Sequence, residues 1–325
     1  MNIADCYQKC KSVNFTGMEY PYIISKLMSA DKHDAIAACL ASFRQIANQI
    51  HDILAEHSID EIDRELVDGY LDSWLECVQD SGNQKPSSDP FCIALADAFN
   101  KFNLPVEPWE DYAQALRYHL ANVSIPDMET FKRYGQLSFG PAVYAFIHIL
   151  CSHKKGDNYQ PAINPAFLRE ELAMLLYIVH TLTDFQNDLT STEDGFVYIP
   201  DEIIDRHGLS LSLLSSLKDD PESTIKFNHI VDELYHLGRE YERSAREKMI
   251  IIRGEIRKEQ WFMLDLLINI YSNFLHRIWE FPHSIFNGGY PIDKAMVFIN
   301  ALKLQKDFGL DFRTDLSRLL SETAV

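Results

Sequence analysis

The sequence predicts an all-α fold, and three observations carry that prediction. Apolar residues recur at three-and-four spacing over most of the chain. No alternating segment bounded by Asn-Gly or Asp-Gly reads as a hairpin, and no strand–helix alternation is present. No repeat recurs at a fixed period, which leaves one bundle of ten or more helices rather than a solenoid.

The elements follow in order. Residues 35–57 place Ile36, Cys39, Leu40, Phe43, Ile46, Ala47, Ile50, Ile53 and Leu54 on one stripe with no helix breaker. Residues 60–80 repeat the pattern with Ile62, Leu66, Tyr70, Trp74, Leu75 and Val78. Residues 81–90 (SGNQKPSSDP) are polar and contain proline, which predicts a loop. Helices are expected at about 91–102 and 107–120, and again at 126–150, where Gly140-Pro141 breaks or kinks the run. Residues 154–165 read as a second polar loop. Residues 167–189 read as one long buried helix and 190–205 as a loop. Helices at 219–251, 255–281 and 291–304 complete the chain.

Composition narrows the function. The chain has 325 residues, 46% hydrophobic and 24% charged, with 48 acidic against 30 basic side chains and a net charge of −18. Such a surface repels phosphate backbones and excludes a general nucleic-acid binder. An anionic substrate then needs metal ions or a local basic pocket to offset the field. The apolar runs at 141–150 and 173–181 are too short to cross a membrane, for which roughly 20 residues are needed. The first residues, MNIADCYQKCKSVN, lack an apolar core, so no signal peptide is predicted. Six scattered cysteines without a CxxC pair read as reduced packing thiols in a cytoplasmic protein. The mixed-charge stretch 239–258 reads as a solvated, ion-paired helix face.

Phosphate loops, dinucleotide fingerprints, HExxH and GxSxG are absent. Two polar clusters remain on otherwise apolar helices. Asn48-Gln49-Ile50-His51-Asp52 puts Asn48 and Asp52 on one helix face, and Asp184-Phe185-Gln186-Asn187-Asp188 does the same for its two aspartates. Oxygen ligands on a helix face suit Mg²⁺ bridged to substrate phosphates. A DxxxD pair is also what an ordinary solvated face looks like, and spacing alone leaves both readings open. His51 and His180 are single histidines, read as packing or surface residues.

Four segments resemble the squalene and phytoene synthase family. TDFQNDLTSTEDGFVYIP at 183–200 resembles the second aspartate-rich motif, with Gly195, Tyr198, Ile199 and Pro200 as its ending. FNLPVEPW at 102–109 resembles the family's FxLPxxPF turn, and 130–150 the helix carrying Y…APAxxFxHL. Residues 41–56 fall where the first aspartate motif belongs. Order and spacing agree over about residues 20–305, and the resemblance implies one domain across 1–325. The resemblance implies that this domain is an isoprenoid-synthase helical bundle around a central apolar cavity.

The resemblance implies a Mg²⁺-dependent prenyltransferase that joins prenyl diphosphates such as farnesyl or geranylgeranyl diphosphate. It places Asp184, Asp188, Asp52, Glu193 and Asp194 at the metal, with Asp52, Asp184 and Asp188 catalytic. It counts Asn48, Gln49, Arg44, Arg117, Tyr134 and Tyr198 as substrate-binding, with Asn48 or Gln49 assisting the Asp52 metal site through carbonyl oxygens, the others near the diphosphate, and Lys26 a further cation at the mouth. Phe43, Phe139, Phe146 and Phe185 then line the prenyl cavity. The sequence departs from the family in its first motif, where only Asp52 keeps a carboxylate, and at His119, where the family has aspartate. The enzyme reading requires Asp52 and Asp188 to face one cavity. The alternative is a non-catalytic relative, a prenyl-lipid-binding or assembly-factor protein. Peripheral membrane contact is expected of either, and the oligomeric state is left open.

Overall fold

The structure is a computed structural model that describes residues 2–15, 17–56, 64–122, 124–191, 196–214 and 220–287. The segment predicted as a helix at 291–304 lies outside the described residues, as do Glu193, Asp194 and Gly195.

Two short helices, α1 (Ile3–Lys11) and α2 (Glu19–Ser25), precede the long α3 (Ala30–Glu56). Helix α4 (Arg64–Gly82) and α5 (Pro90–Phe102) follow. Asp89 caps α5 by accepting from Phe91 N at 2.9 Å, Pro90 fills the first turn, and Asn103 ends the helix at φ 49°. Cys77 on α4 and Cys92 on α5 form a disulfide with Cα atoms 6.3 Å apart. The expectation of six reduced thiols is therefore corrected for this pair, while Cys6, Cys10, Cys39 and Cys151 are free and buried. The two partners are 15 positions apart in the chain, and a polar loop carries no periodicity that reveals such a meeting.

Helices α6 (Glu107–Ala121), α7 (Met128–Ser138) and α8 (Gly140–Leu150) come next. The break expected at Gly140-Pro141 is present. Phe139 joins α7 to α8, and Pro141, lacking an N–H, occupies the first turn of α8, where none is needed. The region expected as a loop at 154–165 instead starts with a hairpin. Strands β1 (Ser152–Lys155) and β2 (Asn158–Pro161) pair antiparallel around Gly156 at φ 66°. Its residues are mostly exposed and polar, so no alternating apolar pattern marked it.

Helix α9 (Ala166–Thr183) is the central element; every residue from Glu171 to Val179 is buried. It packs on α7, α8 and two long helices, α13 (Pro221–Ile252) and α14 (Lys258–Glu280). Between them lie α10 (Phe185–Ser191), α11 (Asp201–Arg206) and α12 (Leu211–Leu214). A 3₁₀ turn over Pro282–Asn287 ends the described chain. The single helix expected at 167–189 is divided at Asp184, and the loop expected at 190–205 contains the start of α11. Close approach of α7 to α9 depends on Gly135, where a Cβ would run into the Tyr177 ring and come within 2.9 Å of Met174 Sδ.

The 239–258 stretch is not uniformly solvated. Glu242 is buried and accepts from Arg239 and, at 2.9 Å, from Arg246. Arg246 also donates to Asp265 Oδ1 of α14 at 2.7 Å. The partner helix supplies a charge that makes burial tolerable, and no local pattern announces it. Among the described residues no helix is long and apolar enough to cross a membrane.

Candidate active site

A cavity of about 190 Å³ opens between α3, α6, α7, α9 and α10. Each wall follows from helix phase. Arg44 and His51, seven residues apart on α3, share one face and line it together. Tyr112, Leu116 and His119 repeat that spacing on α6. Tyr134 and Phe139 come from α7 and its end, Tyr177, His180 and Asp184 from the last turns of α9, and Asp188 from α10. Tyr198, just before α11, completes the lining.

The break at Asp184 sets the carboxylate pair. Asp184 caps α9 in αR geometry, and Asp188 N donates to Asp184 O at 2.9 Å. Both side chains reach the cavity. Asp184 is half exposed and lies 3.4 Å from His180 Nδ1. Burial, then the charge of Asp184, pushes the Asp188 carboxyl up to about 8. Two neighbouring carboxylates, one of them largely buried, produce that shift.

The opposite wall has different chemistry. Arg44 carries a buried Nε without a hydrogen-bond partner among the described residues. His51 stands at the rim, where packing on its inner side and then the charge of Arg44 lower its pKa. Its ring meets His119 edge-on at 6.3 Å. His119 is buried, stacks on Phe196 at 4.5 Å, and lies 3.1 Å from Tyr198 Oη and 3.5 Å from Tyr134 Oη through Nδ1. Burial, then His51, lowers its pKa from 6.5 to about 3, so the ring is neutral.

This has a consequence for acid stability. Unfolded, His119 takes up a proton near pH 6.5, whereas the folded protein refuses it down to about pH 3. Stability therefore falls as pH drops through that window, by about 2 kcal/mol at pH 5. Denaturant unfolding at pH 7 and pH 5 checks it. His119→Gln, which keeps a hydrogen-bonding group and does not titrate, is expected to lose about 2 kcal/mol less than the parent between these pH values. Equal losses in both proteins would contradict the assignment.

The residues anticipated from sequence divide into three groups. Asp184, Asp188, Arg44, Tyr134, Tyr198 and Phe139 are brought together in the cavity. Asp52 is exposed and is not among the lining residues, so the expectation that it faces Asp188 across one cavity is corrected. Asn48 is also absent from the lining, and Gln49 turns to a separate cleft beside Trp74 and the Cys77–Cys92 disulfide. The cause is helix phase: the face of α3 toward α6 and α9 is centred on Arg44 and His51. Arg117 points outward to Asp72 at 2.6 Å and Asp68 at 3.4 Å, and Lys26 sits over the Tyr22 ring at 5.5 Å. Phe43, Phe146 and Phe185 are core residues, not lining. Phe43 stacks on Trp109 at 5.0 Å, Phe185 lies 4.7 Å from Phe227, and Phe146 is buried on α8. Glu193 and Asp194 lie outside the described residues.

Sequence reasoning missed His51, His180, Tyr112 and Tyr177. The seven-residue interval from Arg44 to His51 was the available signal for His51. The tyrosines sat within apolar stripes that look the same whether they fill a core or line a hollow.

A divalent ion can be tested against this donor set. Among the described residues no three His, Cys, Asp or Glu side chains converge on one metal position. Asp184 and Asp188 form a two-carboxylate set, and burial followed by the charge of Asp184 raises the Asp188 pKa, both of which a bound cation would offset. That fits Mg²⁺ shared with substrate phosphates and water, the common way this ion is held, and does not fit an all-protein cage.

Comparison with known proteins gives a consistent picture. The family model for squalene/phytoene synthase matches residues 20–280. The chain is 26% identical over 227 residues to a phytoene synthase of Mycobacterium tuberculosis (strain ATCC 25618 / H37Rv), covering 69% of this chain and 67% of that protein. A phytoene synthase of Mycobacterium bovis matches to the same extent. Among solved structures, a dehydrosqualene synthase in complex with ligand superposes with a TM-score of 0.73 at 14% identity, covering 94% of this chain and 98% of that one. Squalene synthase HpnC from Alicyclobacillus acidocaldarius gives 0.68 at 15% identity, over 86% and 95%. At these identities the structural likeness concerns the fold.

Proposed function

Because the chain belongs to the squalene/phytoene synthase family, we propose that it is a prenyltransferase acting on a prenyl diphosphate, farnesyl or geranylgeranyl, with Mg²⁺. The observation that carries this reading is the cavity that sets Asp184 and Asp188 on one side and Arg44 on the other, with aromatic rings between.

Asp188 and Asp184 would hold the ion, whose charge would favour the ionised form of the Asp188 carboxyl over the protonated one. The chemistry it would supply there is neutralisation of charge on the departing diphosphate. Arg44 donates from its unpaired Nε to a diphosphate oxygen. Tyr112, Tyr134, Tyr177 and Phe139 exclude water from the allylic cation and present ring faces to it. Neutral His119 keeps Tyr134 and Tyr198 in place. At about 190 Å³ the cavity is below the ~300–1,000 Å³ of ordinary ligand pockets, which suits one diphosphate head and its first prenyl units.

A second reading, a non-catalytic prenyl-lipid-binding relative, is favoured by one observation: Asp52, the surviving carboxylate of the first motif, stands outside the cavity. Incubation with farnesyl and geranylgeranyl diphosphates plus Mg²⁺ separates the two. Metal-dependent pyrophosphate release supports the enzyme. No release from either substrate, with no metal-dependent thermal shift, overturns it in favour of binding. Under either reading the ligand partitions into bilayers, and a peripheral membrane contact of a cytoplasmic protein is part of the proposal.

A further inference from the structure

Far from the cavity, the turn from α13 to α14 breaks the usual rule of burial. The run Met249–Ile252 is wholly apolar, yet only Met249 and Ile252 are buried. Ile250 and Ile251 are 66% and 67% exposed, the two most exposed large apolar side chains among the described residues. The two adjacent isoleucines form a small apolar tip at the end of α13 that adds nothing to the core.

The surroundings indicate what touches it. Arg253 stacks over the Trp261 ring at 5.8 Å. Arg257 and Lys258 follow at the start of α14, exposed and without a carboxylate partner among the described residues. Gln260 donates to Leu150 O and Ser152 O at 2.8 and 3.3 Å, which ties this corner to the β1–β2 hairpin and its exposed Lys154 and Lys155. Five basic side chains thus stand among four acidic ones, Glu247, Glu255, Glu259 and Asp157. The whole chain has 30 against 48, so this corner is a relatively basic pole on an acidic molecule.

The corner also has a defined place in the fold. Helices α9 and α13 run antiparallel. Phe185 meets Phe227 at the cavity end, while Glu171 meets Ser244 and Lys248 at the other. Twenty-three residues of α13 separate Phe227 from Ile250, roughly 35 Å of helix. The diphosphate end therefore faces away from the isoleucine end.

We propose that the α13–α14 turn docks the protein on an anionic lipid bilayer, with Ile250 and Ile251 entering the interface and Arg253, Arg257, Lys258 and the hairpin lysines meeting the headgroups. Apolar tips flanked by basic residues bind interfaces in this way, and the basic share of the attraction is screened by salt. Docking in this orientation leaves the cavity's polar end in water.

Co-sedimentation of the full chain with vesicles tests it, using phosphatidylcholine alone and phosphatidylcholine with phosphatidylglycerol. The protein is expected to sediment with the anionic vesicles, less so at high salt. Ile250→Ser with Ile251→Ser is expected to lower the partition coefficient at least about tenfold at unchanged thermal stability. Arg253→Glu with Arg257→Glu removes the preference for phosphatidylglycerol. Failure of the parent to bind any vesicle, or equal binding by the isoleucine variant, overturns the proposal. So does a parent dimer that the isoleucine variant dissociates without vesicle binding, since the patch then serves a second copy. The readout is partition and not turnover, so its failure and that of the prenyl-transfer reading are separately visible.

Discussion

Replacing Asp188 with asparagine is expected to lower Mg²⁺-dependent pyrophosphate release from a prenyl diphosphate by at least about 100-fold, a loss typical of removing an electrostatic group from a reacting centre. Asparagine is the informative choice. Burial and the charge of Asp184 push the Asp188 carboxyl up to about 8, so at neutral pH without metal it carries a proton. Asparagine copies that neutral form in size and polarity. The fold is therefore expected to survive, and the effect to fall on metal and substrate. The sign for stability follows from the same shift. The unfolded carboxyl releases its proton near pH 4, the folded one near pH 8, so the metal-free parent loses stability as pH rises between these values. The amide of the Asp188→Asn variant does not titrate, and its thermal unfolding without metal should be flatter over that range. Adding Mg²⁺ at pH 8 should stabilise the parent and not the variant. A variant with full activity would remove the carboxylate pair from the mechanism.

Trp109→Ala is expected to cost about 3–5 kcal/mol of unfolding free energy, the range for removing a buried indole or phenyl ring. Trp109 is wholly buried, stacks on Phe43 at 5.0 Å and packs on Phe99 at 4.8 Å. Its Nε1 donates to Ser42 Oγ at 2.8 Å. The ring sits one turn before Tyr112 and joins α3, α5 and α6, so its loss loosens the α3–α6 wall that holds Arg44 and His51. Trp109→Phe keeps most of the apolar volume and gives up the hydrogen bond, and should cost about 1–2 kcal/mol. Denaturant unfolding of both variants checks the ranking. An alanine variant as stable as the phenylalanine variant would mean that the packing there is slack.

The helices around the site were legible because a helix writes its burial into the chain every three to four residues. Residues 35–57 and 107–120 show that stripe, and α3 and α6 stand where it predicts. The Gly140-Pro141 break was legible for an equally local reason, the missing N–H of proline. Elsewhere local signals were silent. The division at Asp184 lies in a run where Phe185 and Leu189 continue the apolar pattern, so nothing in spacing separated α9 from α10. The β1–β2 hairpin has a polar, exposed sequence. The Glu242–Arg246–Asp265 cluster needs a helix that comes later in the chain, and Cys77 finds Cys92 across a featureless loop.

Local patterns along the chain were enough to specify an all-α bundle, its long helices, and two polar clusters on apolar helices. Motif order along the same chain was enough for the likeness to squalene and phytoene synthases. Which face of each helix looks inward depended on how the helices pack. On α3 that packing chose Arg44 and His51 and left Asp52 in solvent; on α9 and α10 it turned Asp184 and Asp188 to the same hollow. Periodicity defines a stripe relative to its own helix axis, and neighbouring positions on one stripe differ by only a fraction of a turn. Which of them reaches a cavity depends on how helices distant in sequence pack, and that energy is not stored in any one segment.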